Sequence, residues 1–455
     1  MKITILIIYG LTLLIIGIYS ALRIKTPVDY FIAGKRTGVL QISGSLLATI
    51  LGGSAILGTA NLAIQQSWAA AWYLLSASIG LWLLLPLVEK VNRLGKFTLT
   101  GMIGRFYGET ARKSASVIIP LAWTGVVAAQ MIAAAKILFS LFELPYEDGV
   151  LISGLVFIGY TLIGGQISIL KTDFFQAIII LTGVLIAALF LSRVPDTHSA
   201  PLMDSFPFNY HFSPIDLLIL LLTFSSTFVV GPDIYSRVFC AKDEATARKS
   251  IILVAAILIP FAFILTYIGV FAHENMPAEE LHGSVALIEL IDFYLPDWMV
   301  GLMGAALLSA VLSSADTTLL TASMILSEFV SKDIDNRKSL NTTRIFIVLT
   351  GIVSTIIALK ITSIIGMLLL ALAFYSGAFI VPLIAALVNL NINKKMSVPA
   401  MITGGTVALT GKILISVFNF SWGNWIIIAA FLINFLILKI PEKEKSNRGT
   451  QRGTR

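Results

Sequence analysis

The stretch QISGSLLATILGGSAILGTANLAIQQ, residues 41–66, is apolar and long enough for one membrane helix, but Gly52 and Gly53 interrupt it at its middle. A second stretch, LLLTFSSTFVVGPDIYSRVF, residues 220–239, is interrupted by a Ser-Ser-Thr run and by Gly231 and Pro232. Such breaks free backbone carbonyls, which are tolerated at membrane depth only where they line a cavity or hold an ion. We therefore predict two broken helices beside a binding site.

The two breaks occupy matching positions, because each opens a block of five predicted spans, residues 39–192 and 213–389. Paired interruptions of this kind are the best sequence pointer to a secondary transporter built from inverted repeats. Glycines also permit close helix packing without any break. We favour that simpler interpretation for Gly44 and Gly58, and it remains open for the two interrupted pairs.

Composition places the chain in the membrane. Of 455 residues, 57% are hydrophobic and 13% are charged, and the mean hydropathy is +0.91. These values exclude an ordinary soluble domain and predict an all-α integral membrane protein. Apolar runs of about 20 residues give thirteen spans, near 3–22, 39–66, 70–88, 114–142, 148–164, 166–192, 213–237, 249–272, 298–328, 343–359, 363–389, 397–418 and 424–440.

The charged residues predict the orientation. Basic residues gather in alternate loops, at 23–36, 90–113, 171, 237–249, 332–344, 394–395 and 439–455, while acids gather on the opposite side. The positive-inside rule then places the N-terminus outside and the C-terminus in the cytoplasm, which agrees with an odd number of spans. The net charge of +7 thus reflects topology rather than nucleic-acid binding. We expect a multi-pass protein of the bacterial inner membrane.

The predicted division of the chain follows these spans. It comprises an N-terminal extra helix with a cytoplasmic loop (1–38), a first repeat of five helices (39–192), an outer loop (193–212), a second repeat of five helices (213–389), two C-terminal extra helices (390–440) and a cytoplasmic tail (441–455).

One predicted span carries a row of oxygen-bearing side chains. Residues 304–330, GAALLSAVLSSADTTLLTASMILSEFV, place Ser313, Ser314 and Thr317 on one helical stripe with Asp316 at its edge. Burying an aspartate at the bilayer centre costs at least about 2.5 kcal/mol, so a functional site is the default hypothesis. Oxygen ligands without thiolate or imidazole suit a hard cation. Alternatively, these hydroxyls simply bond to the preceding helical turn.

An ordered set of motifs is similar to the sodium/solute symporter family. It comprises DYFIAGKR (29–36), SLLATILGGSAILG (45–58), YTLIGGQISILKTDFFQ (160–176), GPDIYSRVFCAKDEATARKS (231–250) and LLSAVLSSADTTLLTASMILSEFVSKDI (307–334). The resemblance covers about residues 25–390. It implies a five-plus-five inverted-repeat fold of the leucine-transporter type, with one extra N-terminal and two extra C-terminal helices.

The resemblance also implies a sodium site between the first core helix and the eighth. Mapped onto this chain, its ligands are the carbonyls of Ala48, Leu51 and Ala310 and the hydroxyls of Ser313 and Ser314. Sodium is the only cofactor that we expect, as the coupling ion, and no organic cofactor is implied.

Some members of the family hold a second sodium with an acid in the fifth core helix. Asp173 matches that acid, and Asp316 and Thr317 match the partner positions, so that a carboxylate replaces one hydroxyl. Either both acids bind a second sodium, or one is protonated and serves as a proton site or hydrogen-bond partner, because two close carboxylates are not both ionised without a cation. A third interpretation pairs Asp173 with Lys171 or another inner-loop base.

The resemblance places the solute between the two breaks and the third core helix. The candidate contacts are Gly52, Ser54, Ala55, Gln130, Ser225, Ser226, Thr227 and Phe228. Ser54 and Ala55 replace polar residues of the sugar carriers, and Ile50 replaces an acid of the proline carriers, so neither solute is favoured. Lys136 either attracts an anionic solute or reaches toward the outer surface.

We therefore predict a sodium-coupled symporter that imports a small organic solute by alternating access. A proton-coupled transporter of the same fold is the alternative, and a transporter-derived solute sensor is a weaker one. Cys240 is the sole cysteine, and no nucleophile constellation or nucleotide loop is recognisable, so we do not expect an enzyme. The expected partners are the solute and membrane lipid; no nucleic acid and no obligate protein partner is implied.

Overall fold

The chain folds almost entirely into α-helices. A computed structural model describes residues 1–94, 98–195, 205–276, 286–331, 337–420 and 422–441, and among them there is no β-strand, only two isolated bridges. Some residues of the predicted loops lie outside these ranges: Lys96, His198, Glu279, Glu280, His282, Lys332 and the tail from residue 442.

The helices follow one another along the chain with short connections. They are α1 (Lys2–Ala21), α2 (Pro27–Ile32), α3 (Val39–Ile50), α4 (Gly53–Gln66), α5 (Trp72–Leu84), α6 (Val88–Leu94), α7 (Leu99–Tyr107), α8 (Glu109–Phe142), α9 (Tyr146–Leu191), α10 (Pro214–Leu220), α11 (Ser226–Val230), α12 (Pro232–Cys240), α13 (Glu244–Asn275), α14 (Ala286–Tyr294), α15 (Asp297–Val330), α16 (Arg337–Ala358), α17 (Ile364–Leu387), α18 (Ser397–Phe418) and α19 (Gly423–Lys439). A π-helical turn, Leu221–Ser225, joins α10 to α11.

Within the described residues, ten helical segments are long and apolar enough to cross a membrane. The 46-residue α9 counts once among them. As a straight helix at 1.5 Å per residue it would be about 69 Å long, more than twice the thickness of the hydrocarbon core. Val39–Ile50 and Gly423–Lys439 are apolar but shorter. The prediction of an all-α protein with many spans is therefore confirmed.

Helix α9 folds back on itself. Its backbone leaves helical geometry at Gly165, where φ is 52°. A Cβ at Gly183, near the end of α9, would lie 3.0 Å from Ala306, and a Cβ at Gly304 would lie 3.0 Å from Leu141, just ahead of α9. Both ends of α9 therefore lie beside the first turns of α15. α9 thus supplies two antiparallel segments, as the predicted spans 148–164 and 166–192 require.

The interior of the bundle is organised around α15. This helix is buried along most of its 34 residues and packs against α3, α8, α9 and α16. By contrast, α1 carries large apolar side chains that are more than half exposed, including Ile3, Ile7 and Leu11. Such a face is typical of a helix that contacts lipid. α15 thus lies at the centre and α1 at the edge.

The first break lies where α3 and α4 meet α15. α3 ends at Ile50, Leu51 caps it, and Gly52 is extended with φ −61° and ψ 169°. Any residue can adopt that backbone, so the need for glycine is steric. A Cβ at Gly52 would lie 2.2 Å from Ser314 Oγ, and a Cβ at Gly53 would lie 2.0 Å from Val311 Cγ1. Both interpretations of Gly52 and Gly53 therefore hold: the membrane helix breaks at these glycines, and they also allow close packing against α15.

The substitution Gly53→Ala tests this close approach. We expect it to lower the free energy of unfolding by about 1–3 kcal/mol, because the new methyl overpacks the contact with Val311. The measurement is the thermal unfolding midpoint of the purified protein in detergent. Gly159→Ala is the matched control, since a Cβ there meets nothing within 4 Å. Equal midpoints for Gly53→Ala and Gly159→Ala would contradict the prediction.

Candidate ion and solute site

Two serines of α15 donate hydrogen bonds to the carbonyls at the end of α3. The last four carbonyls of any helix have no donor within that helix. Ser313 Oγ donates to the Ala48 carbonyl at 2.7 Å, and Ser314 Oγ donates to the Thr49 carbonyl at 2.6 Å. All four residues are buried. Two carbonyls at the broken end of α3 are therefore satisfied by side chains of α15.

Three of the five predicted sodium ligands come together here. Ser313 Oγ lies 2.7 Å from the Ala48 carbonyl and 3.3 Å from the Ala310 carbonyl. Ser314 lies one residue on, but its hydroxyl contacts Thr49, which the sequence interpretation did not include. Among the described residues, no hydrogen bond joins the Leu51 carbonyl to either serine; the Leu51 N–H donates to Leu47.

Two other hydroxyls of the predicted row have hydrogen-bond partners outside α3. Thr318 donates to the carbonyls of Ser314 and Ala315, in the preceding turn of its own helix. Ser309 donates to Tyr9 Oη at 2.9 Å, which ties α15 to α1. The simpler interpretation of intrahelical bonding thus describes Thr318, whereas Ser313 and Ser314 reach across to α3.

The predicted acid Asp173 is paired with a buried arginine of α12. Arg237 Nη2 lies 3.1 Å from Asp173 Oδ2, and both side chains are fully buried. The guanidinium also donates to Ser45 Oγ at 3.0 Å, to Ser236 Oγ at 2.9 Å and to Thr317 Oγ1. Ser45 in turn donates to Asp173. A guanidinium therefore occupies the centre of this polar cluster.

The second acid, Asp316, lies beside this cluster with fewer contacts. Thr317 Oγ1 lies 3.5 Å from Asp316 Oδ1 and 3.4 Å from Thr49 Oγ1. Asp316 is fully buried, and its Oδ2 has no hydrogen-bond partner among the described residues. One carboxylate thus pairs with the guanidinium, and the second is connected to it through Thr317. The third interpretation, in which Asp173 pairs with an inner-loop base, describes this ion pair, because Arg237 was counted among those bases. The sequence interpretation missed the burial of Arg237; its position five residues after Pro232, inside the second half of a broken helix, was the available signal.

Tyrosines satisfy the carbonyls that the second break frees. Gly231 is extended with φ −70° and ψ 133°, and Pro232 begins α12. Tyr235 Oη donates to the Val229 carbonyl at 2.9 Å, and Tyr375 Oη donates to the Val230 carbonyl. Because the helix ends at Val230 and Gly231 is extended, the Val229 and Val230 carbonyls have no helical N–H donor, and these hydroxyls take the place of backbone donors.

A cavity of about 60 Å³ lies between the two breaks and α8. Of the predicted solute contacts, Ser54, Ala55, Gln130, Thr227 and Phe228 line it. Gln130 Nε2 donates to Ser54 Oγ at 2.9 Å, which joins α8 to α4. Thr49 and Ser314 also line the cavity, so the candidate ion contacts border the solute space directly.

The remaining predicted contacts lie outside the lining of this cavity. Gly52 packs against Ser314. Ser226 donates to the Leu222 carbonyl of its own helix, and Ser225 Oγ is buried without a partner among the described residues. Lys136 lies on α8 and is absent from the lining.

The sequence interpretation missed the acidic residue of the cavity and three of its four aromatic residues: Asp233, Tyr73, Trp123 and Phe224. Their positions on α12, α5, α8 and the π-turn are far apart in the chain, so only the fold brings them together. Asp233 had a local signal, because it follows directly on the break at Gly231 and Pro232.

The comparisons with known proteins agree with this architecture. The chain is 24% identical over 398 residues to an uncharacterized symporter, YwcA, of Bacillus subtilis (strain 168), which covers 82% of this chain and 77% of the relative. The fold of this chain is similar to that of a Na+-coupled sialic acid symporter, with a TM-score of 0.80, 18% identity and 96% coverage of both chains. A manganese transporter of Eremococcus coleocola aligns with a TM-score of 0.59, 13% identity and coverage of 88% and 93%.

The fold and the family are those of transporters rather than enzymes. A family model described as the sodium:solute symporter family matches residues 30–404, well over half of the chain and both broken helices. The chain belongs to the sodium:solute symporter family and is a multi-pass membrane protein that couples the movement of a small solute to that of sodium.

Proposed function

We propose that the coupling sodium binds between the end of α3 and the middle of α15. Its central ligands are the hydroxyl of Ser313 and the carbonyls of Ala48 and Ala310. The two carbonyl oxygens lie 2.7 and 3.3 Å from Ser313 Oγ. Ser314 and Leu51 complete the predicted shell. The single observation that carries the proposal is the end of α3, where carbonyls without intrahelical donors face hydroxyls of a buried helix.

An ion at this place couples to the solute through shared residues. Thr49 and Ser314 hydrogen-bond to each other across the α3–α15 contact and also line the solute cavity. Sodium would hold α3 against α15 and fix the wall that receives the solute. Two ligands that stabilise the same arrangement increase each other's affinity by the same factor. Release of sodium would loosen this contact and permit the inward-facing state.

The orientation and the division of the chain belong to the same proposal. The loop charges favour the bacterial inner membrane, with the N-terminus outside, the C-terminus in the cytoplasm and transport inward. The division into repeats at 39–192 and 213–389 is supported by the two breaks, at Gly52 and at Gly231, each of which lies near the start of its block.

Proton coupling remains the second candidate because of the acids beside Arg237. Asp173 pairs with the guanidinium and Asp316 lies beside the same cluster through Thr317, so the fully ionised cluster would carry an excess negative charge inside the protein. A proton on Asp316, or a second cation beside it, neutralises that charge. Asp173 already has the guanidinium and Ser45 as donors, whereas Asp316 Oδ2 has none among the described residues. We infer that Asp316 takes the extra positive charge.

Ser313→Ala tests the sodium site. Sodium that binds the folded state raises its stability by mass action, so NaCl should raise the unfolding midpoint above that in equimolar KCl. We expect Ser313→Ala to weaken apparent sodium affinity about tenfold or more, because a ligand to a charged group is lost. The measurement is a sodium titration of the unfolding midpoint of the purified protein.

Ser323→Ala is the matched control for this titration. Ser323 is also buried on α15, but its hydroxyl donates to the Leu319 carbonyl of its own helix. The control should keep the sodium response of the wild type. An unchanged sodium response in Ser313→Ala would exclude Ser313 as a ligand.

The two acids are predicted to respond differently to amide substitution. Asp173→Asn leaves Arg237 buried without its counter-ion, so the free energy of unfolding should fall by about 3–5 kcal/mol. Asp316→Asn removes the excess charge and should change the free energy by less than about 1 kcal/mol. Chemical denaturation of both purified variants measures the difference. Greater destabilisation by Asp316→Asn than by Asp173→Asn would contradict the assigned ion pair.

A further inference from the structure

The solute cavity has the chemistry of a site for a positively charged molecule. We propose that the transported solute is a small organic cation, an amine or a quaternary ammonium compound, bound between Asp233 and the aromatic side chains of the cavity. This inference rests on the proposed function, since it takes the cavity to be the solute site.

Asp233 supplies the negative charge. It is the second residue of α12, lines the cavity and remains partly exposed to it. Among the described residues it forms no salt bridge within 4.0 Å, and Arg237, one turn further along α12, is directed at Asp173 instead. No lysine, arginine or histidine is among the residues that line the cavity. A charged solute that enters this space therefore meets a carboxylate and no opposing cationic side chain.

Aromatic rings supply much of the remaining wall. The rings of Tyr73 and Phe224 stack with their centroids 4.3 Å apart, and Phe228 meets Phe224 edge-on at 5.0 Å. Trp123 lines the cavity from α8. Aromatic faces attract cations through their quadrupole, and cages of such rings bind quaternary ammonium groups. Uncharged apolar walls would serve a neutral solute equally well, so the combination with Asp233 is what favours a cation.

A buried acceptor adds a polar contact. Gln130 Nε2 donates to Ser54, but Gln130 Oε1 is buried without a partner among the described residues. A buried acceptor left unpaired costs about 1–3 kcal/mol, so the site favours a solute that brings an N–H or O–H group. Tyr73 Oη and Trp123 Nε1, also buried and without partners among the described residues, provide donors for a second polar end.

An anionic solute fits the same space poorly. It would place a second negative charge beside Asp233. The positive charges nearby are the proposed sodium at Ala48 and Ser313 and the guanidinium of Arg237, which is paired with Asp173 and does not line the cavity. Lys136, which the sequence offered as an attraction for anions, does not line the cavity, and Lys412 lines a neighbouring cavity that shares Tyr73 with it.

A matched series of probes tests the charge directly. The cations are choline, tetramethylammonium and ethanolamine; the neutral probe is dimethylbutanol, in which carbon replaces the choline nitrogen; the anion is pivalate. Each probe is titrated against the full-length purified protein in NaCl and in KCl, and the unfolding midpoint is recorded. Potassium is the replacement ion because organic replacements are themselves cations. We expect at least one of the three cations to raise the midpoint in NaCl, and neither dimethylbutanol nor pivalate to do so.

Two substitutions connect the effect to the cavity. Asp233→Asn should weaken the affinity of the active cation about 30-fold or more, because the carboxylate partner of a desolvated charge is lost. Phe228→Leu should weaken it about threefold to tenfold through the loss of one ring. Asp216→Asn is the control, since Asp216 lines the neighbouring cavity that contains Lys412 and does not line the solute cavity.

The outcomes separate this inference from the proposed function. Stabilisation by dimethylbutanol or pivalate in place of the cations, or by none of the cations, overturns the assignment of an organic cation. Unchanged cation affinity in Asp233→Asn overturns it as well. The stabilisation by sodium alone, and its loss in Ser313→Ala, are measured without any solute. The test of the sodium site is therefore independent of the test of the solute's charge.

Discussion

The structure depends on one contact, in which serines of the continuous helix α15 donate hydrogen bonds to the carbonyls at the end of the interrupted helix α3. α3 ends in the interior of the protein, where its last carbonyls have no donor within the helix. Ser313 and Ser314 supply the donors at 2.7 and 2.6 Å. Glycines at 52 and 53 let α15 approach closely enough for these bonds to form. A sodium ion that takes the place of these two hydrogen bonds, with the serine hydroxyls turned so that their oxygens face it, binds where the fold already gathers oxygen atoms.

The acid cluster beside this contact is organised by an internal arginine. Arg237 joins α12 to α9 through Asp173, to α3 through Ser45 and to α15 through Thr317. A buried ion pair contributes little net stability, but removing one partner is strongly destabilising. The pair therefore constrains how the two broken helices sit against α9 and α15. Asp316, on the rim of the cluster, is the member whose charge is not compensated.

The sequence predicted those features that follow from local patterns. Apolar runs predicted the spans, and the change of direction at Gly165 separates two of them within α9. The glycine and proline breaks are found at the predicted positions. Partners brought together by tertiary packing could not be read from spacing. Charge counting placed Arg237 in a loop, although it is fully buried, and Tyr73, Trp123 and Asp233 meet only in the folded cavity.

The most direct test of the sodium site is the binding of radioactive sodium to the purified protein at equilibrium. The account predicts saturable binding by the wild type, its loss in the double variant Ser313→Ala/Ser314→Ala, and its retention in Asp316→Asn. Binding that persists in the double serine variant and disappears in Asp316→Asn would place the sodium at the acid cluster and contradict the account.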